Sequence, residues 1–202
     1  MDELKPDLLR IGTLHQVLVL LLKEKVPISD LNRILECVLS HAVKTKDPVE
    51  LSELLRKDLG RAICQPYCDA SNRVRVQLLA PQLQSRLRNT LHQGELVLHH
   101  GDLERLLSSI QTQLNKSQLS NAPFALLTDD LLRRPIRRCL ERSLPDVAVI
   151  AFGEIPSDMM IEQVAVLEST HVFRDSNAEP VSPFAPPADS GPEIHAVTQG
   201  AA

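Results

Sequence analysis

Residues 12–36 read GTLHQVLVLLLKEKVPISDLNRILE, with six apolar side chains in a row from Val17 to Leu22. Such a run has three readings: a membrane span, a buried helix, or a surface that recruits partners. A spanning helix needs roughly 20 apolar residues, and Lys23, Glu24 and Lys25 end this run at once. No other window comes closer, so the sequence predicts no direct membrane insertion. The positions of Leu8, Ile11, Leu14, Leu18, Leu21 and Leu22 instead follow the helical i, i+3, i+4, i+7 rule over residues 7–24. Val17 and Leu20 widen the apolar stripe, which predicts burial on most sides.

Pro27 stops that helix, because it lacks the N–H and pushes Val26 out of the helical region. Ser29 or Asp30 then caps a second helix that carries Leu31, Ile34, Leu35, Val38 and Leu39 on one face. Asp47-Pro48, an acidic cap followed by proline at the first helical position, opens a third. Its apolar face is Leu51, Leu54, Leu55, Leu59 and Ile63. Three short helices with tight connections predict a small helical subdomain over residues 1–69.

Beyond residue 69 the pattern changes. RVRVQLLA (73–80) alternates and reads as a strand. Pro81 opens a helix to about Leu91, and Leu103, Leu106, Leu107, Ile110 and Leu114 mark another over 101–116. FALLT (124–128) and DVAVIAF (146–152) are short buried strands around a helix at 129–143, whose Pro135 falls in the first two turns. IEQVAVLE (161–168) completes the set. Strands alternating with helices predict an α/β subdomain with a short-stranded sheet over 70–169, so the fold class is α+β or α/β. From Thr170 the chain turns proline-rich and poor in large apolar groups, which predicts a disordered tail over 170–202.

The chain has 202 residues, 43% of them apolar, and a formal net charge of −4. No overall basic field draws it to nucleic acid or anionic lipid. With four Phe, one Tyr and no Trp, leucine must fill the core, and few rings exist on which bases would stack. The four cysteines include a Cys64-x3-Cys68 pair with no second ligand pair nearby, so no metal is expected. With no secretory signal they read as reduced, in a cytoplasmic setting.

Catalytic signatures are sparse. The seven glycines form no phosphate loop, and no cofactor is expected. His92, His99 and His100 read as exposed histidines in a polar connection. RRPIRRCLERS (133–143) reads as a helix that buries Leu132, Ile136, Cys139 and Leu140 while Arg133, Arg134, Arg137, Arg138 and Arg142 solvate the other face. An adaptor reading would use those arginines on acidic partners or nucleic acid. GEIPSD (153–158) sets Glu154 and Asp158 near a strand end, where a small α/β hydrolase would place carboxylates. No nucleophile or cofactor loop accompanies them, so turn chemistry is the simpler account.

Several fragments in order resemble one family. Leu21-Leu22-Lys23-Glu24, then Val26-Pro27-Ile28-Ser29-Asp30-Leu31, then Ile34-Leu35-Glu36, look like the helical signature of the FHIPEP family, the large export-gate proteins of flagellar and virulence type III secretion. KDPVELSELLRKDLGRAI is similar to the family's Asp-Pro helix, with Leu55-Arg56 and Leu59-Gly60-Arg61 at its end. APFALLTDDLLRRPIRRCLERSLPDVAVIAFGEIP is similar to its final α/β block, with Arg134, Arg138, Pro145, Val149 and Glu154-Ile155 in place. The match covers roughly residues 4–168, corresponding to the last two subdomains of the family's cytoplasmic region.

The resemblance implies a non-enzymatic part of a protein export apparatus, with a lean to the flagellar type. It implies a cytoplasmic position at the inner face of the bacterial inner membrane. Implied partners are the ATPase stalk, chaperone–substrate complexes and neighbouring gate subunits, in a homo-oligomeric ring. Arg56, Arg61, Arg134, Arg138 and Glu154 are the residues expected to contact partners.

Overall fold

The computed structural model describes residues 9–119 and 122–173. The tail expected over 170–202 lies outside these residues from Arg174 onward, as do residues 1–8 with Leu8 of the first stripe.

Four helices come first: α1 (Ile11–Lys23), α2 (Leu31–Ala42), α3 (Pro48–Asp58) and α4 (Gly60–Cys64). The caps are local. Asp30 accepts from the Arg33 N–H at 3.1 Å, and Asp47 accepts from the Glu50 N–H at 2.9 Å ahead of Pro48. The third expected helix breaks at Leu59, so Gly60 starts a new one. α1 is less enclosed than its stripe suggests. It packs along α3 and buries Val17 and Leu21, while Ile11, Val19 and Leu22 stay exposed.

The second part alternates: β1 (Arg73–Leu79), α5 (Pro81–Asn89), a hairpin of β2 (Leu91–His92) and β3 (Glu95–Leu96), α6 (His100–Leu119), β4 (Ala125–Thr128), α7 (Asp130–Leu140), β5 (Ala148–Ala151), β6 (Met160–Leu167) and α8 (Ser169–Val172). The hairpin replaces part of the expected polar connection. Its turn is Gln93-Gly94, both at positive φ (50° and 77°), a conformation glycine accepts readily. Asp129 caps α7 through the Leu132 N–H. Pro135 sits in the second turn, where its missing N–H leaves the carbonyl of Leu131 without its helical partner. α8 carries the packed chain past the expected boundary at Thr170. Val172 and Phe173 are buried, and the Arg86 guanidinium stacks 4.2 Å from the Phe173 ring.

The four long strands pair in parallel, in the order β5-β4-β1-β6. β6 is an edge strand whose register slips between Val76 and Gln77, leaving Val164 as an extra residue opposite β1. Each sheet face carries its own apolar layer. Val74, Val76, Ala125, Leu127 and Ile150 pack with α1–α4, including Leu21, Ile34, Leu51 and Leu55. Leu126, Val149 and Leu167 pack with α5–α8, including Leu83, Ile110, Leu132 and Ile136. The N-terminal helices therefore have no core separate from the sheet. They cover one face of it.

Candidate functional site: a buried charge network and an open groove

Where α1, α3, α7 and the 3-10 turn after β5 meet, five charged side chains converge. Glu24 ends α1, Glu53 and Arg56 lie one turn apart on α3, Arg133 comes from α7, and Glu154 closes the turn 152–154. Arg56 and Glu154 are 3% and 2% exposed, and Arg133 is fully buried. Arg56 donates from Nε and Nη2 to the two Glu154 oxygens, both at 2.8 Å. Its Nη1 reaches Glu24 at 3.0 Å, and Nη2 also reaches the Val149 carbonyl at 3.2 Å. Arg133 donates from Nε to Glu53 at 2.7 Å and from Nη1 to Glu24 at 2.6 Å, with a further Nη2 bond to Glu53. A planar fork satisfied on each side in this way makes the buried charge tolerable.

The electrostatics follow from that geometry. Burial pushes the Glu24 carboxyl up, but the Arg56 and Arg133 guanidiniums outweigh it and hold the group below its ordinary value. Burial opposes the Arg133 charge, and Glu24 with Glu53 more than restores it. Burial, with the Glu154 charge beside it, pushes the Cys64 thiol up to about 12. Gly60 lets the turn close over this cluster. A Cβ there would lie 1.9 Å from the Glu154 carbonyl oxygen.

The five residues expected to contact partners divide. Arg56 and Glu154 are spent on each other inside the chain. Arg61 is exposed and pairs with Asp158, whose carboxyl it holds below the usual range. Arg138 is exposed and pairs with Glu95 of the hairpin. Arg134 is half-buried, and among the described residues its side chain has no hydrogen-bond or ion-pair partner.

The expectation that all the α7 arginines solvate the outer face is corrected. Arg133 and Arg137 are buried, and Arg137 donates to the carbonyls of Val147 and Pro145 at 3.0 and 3.2 Å. The signal was present. Arg133, Arg137 and Leu140 share one face at i, i+4, i+7. Glu24 and Glu53 gave no sequence signal for their role, since their cations lie distant in the chain.

The catalytic candidates do not converge. Glu154 is buried against arginine, while Asp158 is exposed in its ion pair with Arg61. His92, His99 and His100 are exposed, and His100 pairs with Glu104 at 3.0 Å along its own helix. Among the described residues, no group of three or more His, Cys, Asp or Glu side chains is placed to hold a metal ion, and no helix is long and apolar enough to cross a membrane.

Beside the network, an open groove of about 470 Å³ runs between α3 and α7, with Val49, Leu54, Leu131, Pro135 and Ala151 among its walls. A smaller cavity of about 160 Å³ lies between the end of α1 and α7, lined by Leu20, Lys23, Arg138 and Glu141 among others. Arg134 lines both.

Comparisons with known proteins place this arrangement in a wider setting. The chain is 37% identical over 166 residues to the flagellar biosynthesis protein FlhA of Salmonella typhimurium, a match covering 82% of the chain and 24% of the relative. It thus spans about a quarter of the length of the curated relatives it matches. Among solved structures, the Chlamydia pneumoniae CdsV and CdsO complex contains a chain with TM-score 0.68 and 26% identity, covering 80% of this chain and 48% of that one. The nonameric EscV cytosolic domain from the type III secretion system gives TM-score 0.66 and 25% identity, over 80% and 48%. The FHIPEP family model matches residues 1–160, and with the motif order of the sequence and the shared fold, this chain belongs to the FHIPEP family.

Proposed function

We propose that this chain is a non-enzymatic docking component of a flagellar or type III protein export apparatus, acting through its surfaces at the cytoplasmic face of the inner membrane. The observation that carries the reading is the 37% identity to a flagellar biosynthesis protein across most of the chain. Two further observations support it. The carboxylates and guanidiniums of the network are hydrogen-bonded to one another, so they offer no free acid, base or nucleophile. The nonameric EscV domain has the same fold, which supports assembly of this chain into a ring.

On this reading residues 1–69 contact neighbouring subunits and residues 70–169 contact soluble export factors. The partners are the ATPase stalk and chaperone–substrate complexes, in line with the solved complex of CdsV with CdsO. Arg61, Arg134 and Arg138 are the outward cations. Arg56 and Glu154 serve indirectly, by fixing α3 against the turn that follows β5. Pull-down with purified flagellar stalk and chaperone proteins tests the reading. Enrichment over an unrelated acidic domain is expected, and none would overturn it.

A further inference from the structure

Arg134 differs from its neighbours on α7. Arg133 and Arg137 are consumed internally, and Arg138 has Glu95. Arg134 has lost part of its hydration and gained no partner. A guanidinium in that position is completed by a carboxylate, which it grips with two parallel N–H donors. Lys23, across the smaller cavity, also lacks a side-chain partner among the described residues. On the other side of Arg134 the groove offers the aliphatic side chains of Val49 and Leu54 among charged neighbours, and Leu131 there is 71% exposed.

We propose that the face of α7 around Arg134 is a docking groove for an acidic, leucine-rich segment of a protein partner. An aliphatic side chain enters between α3 and α7 beside Leu131, Leu54 and Val49. A carboxylate from the next turn of the same segment pairs with Arg134, and a second one meets Lys23. Local charge pairing selects this occupant. Asp130 is taken up by Lys57, Glu53 by Arg133 and Glu154 by Arg56, which leaves Arg134 as the groove cation with capacity for one more carboxylate. A polyphosphate would need a broad basic field, which Arg134 and Lys23 alone do not supply. The groove is open and lies between α3 and α7, which suits a helical segment.

The proposal rests on the docking reading above for the source of the segment. It is tested with purified chain and a fluorescein-labelled, acetylated peptide of repeating Leu-Glu-Glu-Leu, about 14 residues or four helical turns long. Fluorescence anisotropy should show saturable binding. Arg134→Glu and Leu131→Asp should each weaken it about tenfold or more, since each removes one half of the recognition. Arg134→Lys should retain part of it, and Arg142→Glu, beyond the groove, should leave it unchanged. Thermal melts of each variant should match the parent, because both sites are at the surface.

Equal binding of an all-glutamate peptide, or equal loss in Arg142→Glu, would reduce the effect to general charge attraction and overturn the proposal. Arg134-dependent competition by a short RNA would overturn it in favour of nucleic acid. Concentration-dependent dimerisation abolished by Arg134→Glu, seen by sedimentation velocity, would overturn it in favour of a second copy. Stalk and chaperone capture that survives Arg134→Glu and Leu131→Asp would overturn the groove and leave the export reading standing. Peptide binding without any such capture would do the reverse.

Discussion

Replacing Arg56 with methionine keeps most of the side-chain volume and removes the guanidinium from Glu154. That carboxylate is 2% exposed, so water cannot take the place of the lost donors. Both of its bonds at 2.8 Å disappear, and the next cation, Arg133, has its Nε 3.7 Å away and already committed to Glu53. Stripping one partner from a buried pair costs about 3–5 kcal/mol. In a chain of this size each kcal/mol moves Tm by about 2–4 °C, so a fall of about 6–20 °C is expected. Arg133→Met should cost less, although Arg133 is the more buried cation. Its partners Glu24 and Glu53 have side chains 20% and 29% exposed and can rehydrate. The double variant Arg56→Met/Glu154→Leu removes both charges and should recover much of the loss. Urea unfolding at pH 7 of the parent, Arg56→Met, Glu154→Leu and the double variant gives the coupling energy. Losses that simply add, or an Arg56→Met cost under about 1 kcal/mol, would refute the buried network.

Three further predictions concern the same region. Because the arginines hold Glu24 below its ordinary value near 4.5, its contribution is present above that value and is lost as pH falls through the lower folded one. Urea midpoints measured between about pH 5 and pH 3 should therefore drop more steeply in the parent than in Glu24→Gln. Leu21→Ala should cost about 2–5 kcal/mol, while Leu18→Ala and Leu35→Ala, at half-buried positions, should each cost less; thermal melts will rank them. Gly60→Ala should destabilise by about 1–3 kcal/mol despite the better helix propensity of alanine, because its Cβ collides with the Glu154 carbonyl; an unchanged urea midpoint would refute that close approach.

The leucine periodicity made the helices and their caps legible. Val17, Leu21, Ile34, Leu51 and Leu55 are buried where the stripes put them, and Asp30 and Asp47 cap as their positions require. The parallel strands were legible as short apolar runs between helices. What stayed hidden depends on contacts distant in sequence. Periodicity treats arginine as a solvent residue and so puts Arg133 and Arg137 on the outer face. Their burial follows from Glu24, Glu53 and the Pro145–Val147 carbonyls, which only the folded chain brings near. Two-residue strands such as β2 and β3 have too few positions for any alternation to register. The open flank of α1 is not legible either, because an apolar stripe does not reveal how many neighbours will cover it.

The kink at Val164 has a bearing on crowding. Among the described residues β6 has a strand partner on one side only, and the edge of a sheet is a natural template for an invading strand. The extra residue halves that template, since hydrogen bonds on either side of it fall out of step. A foreign strand could match Met160–Gln163 or Ala165–Leu167, but not both in one straight line. A second copy of this chain approaching along this edge would meet the same break, which disfavours one long continuous sheet there.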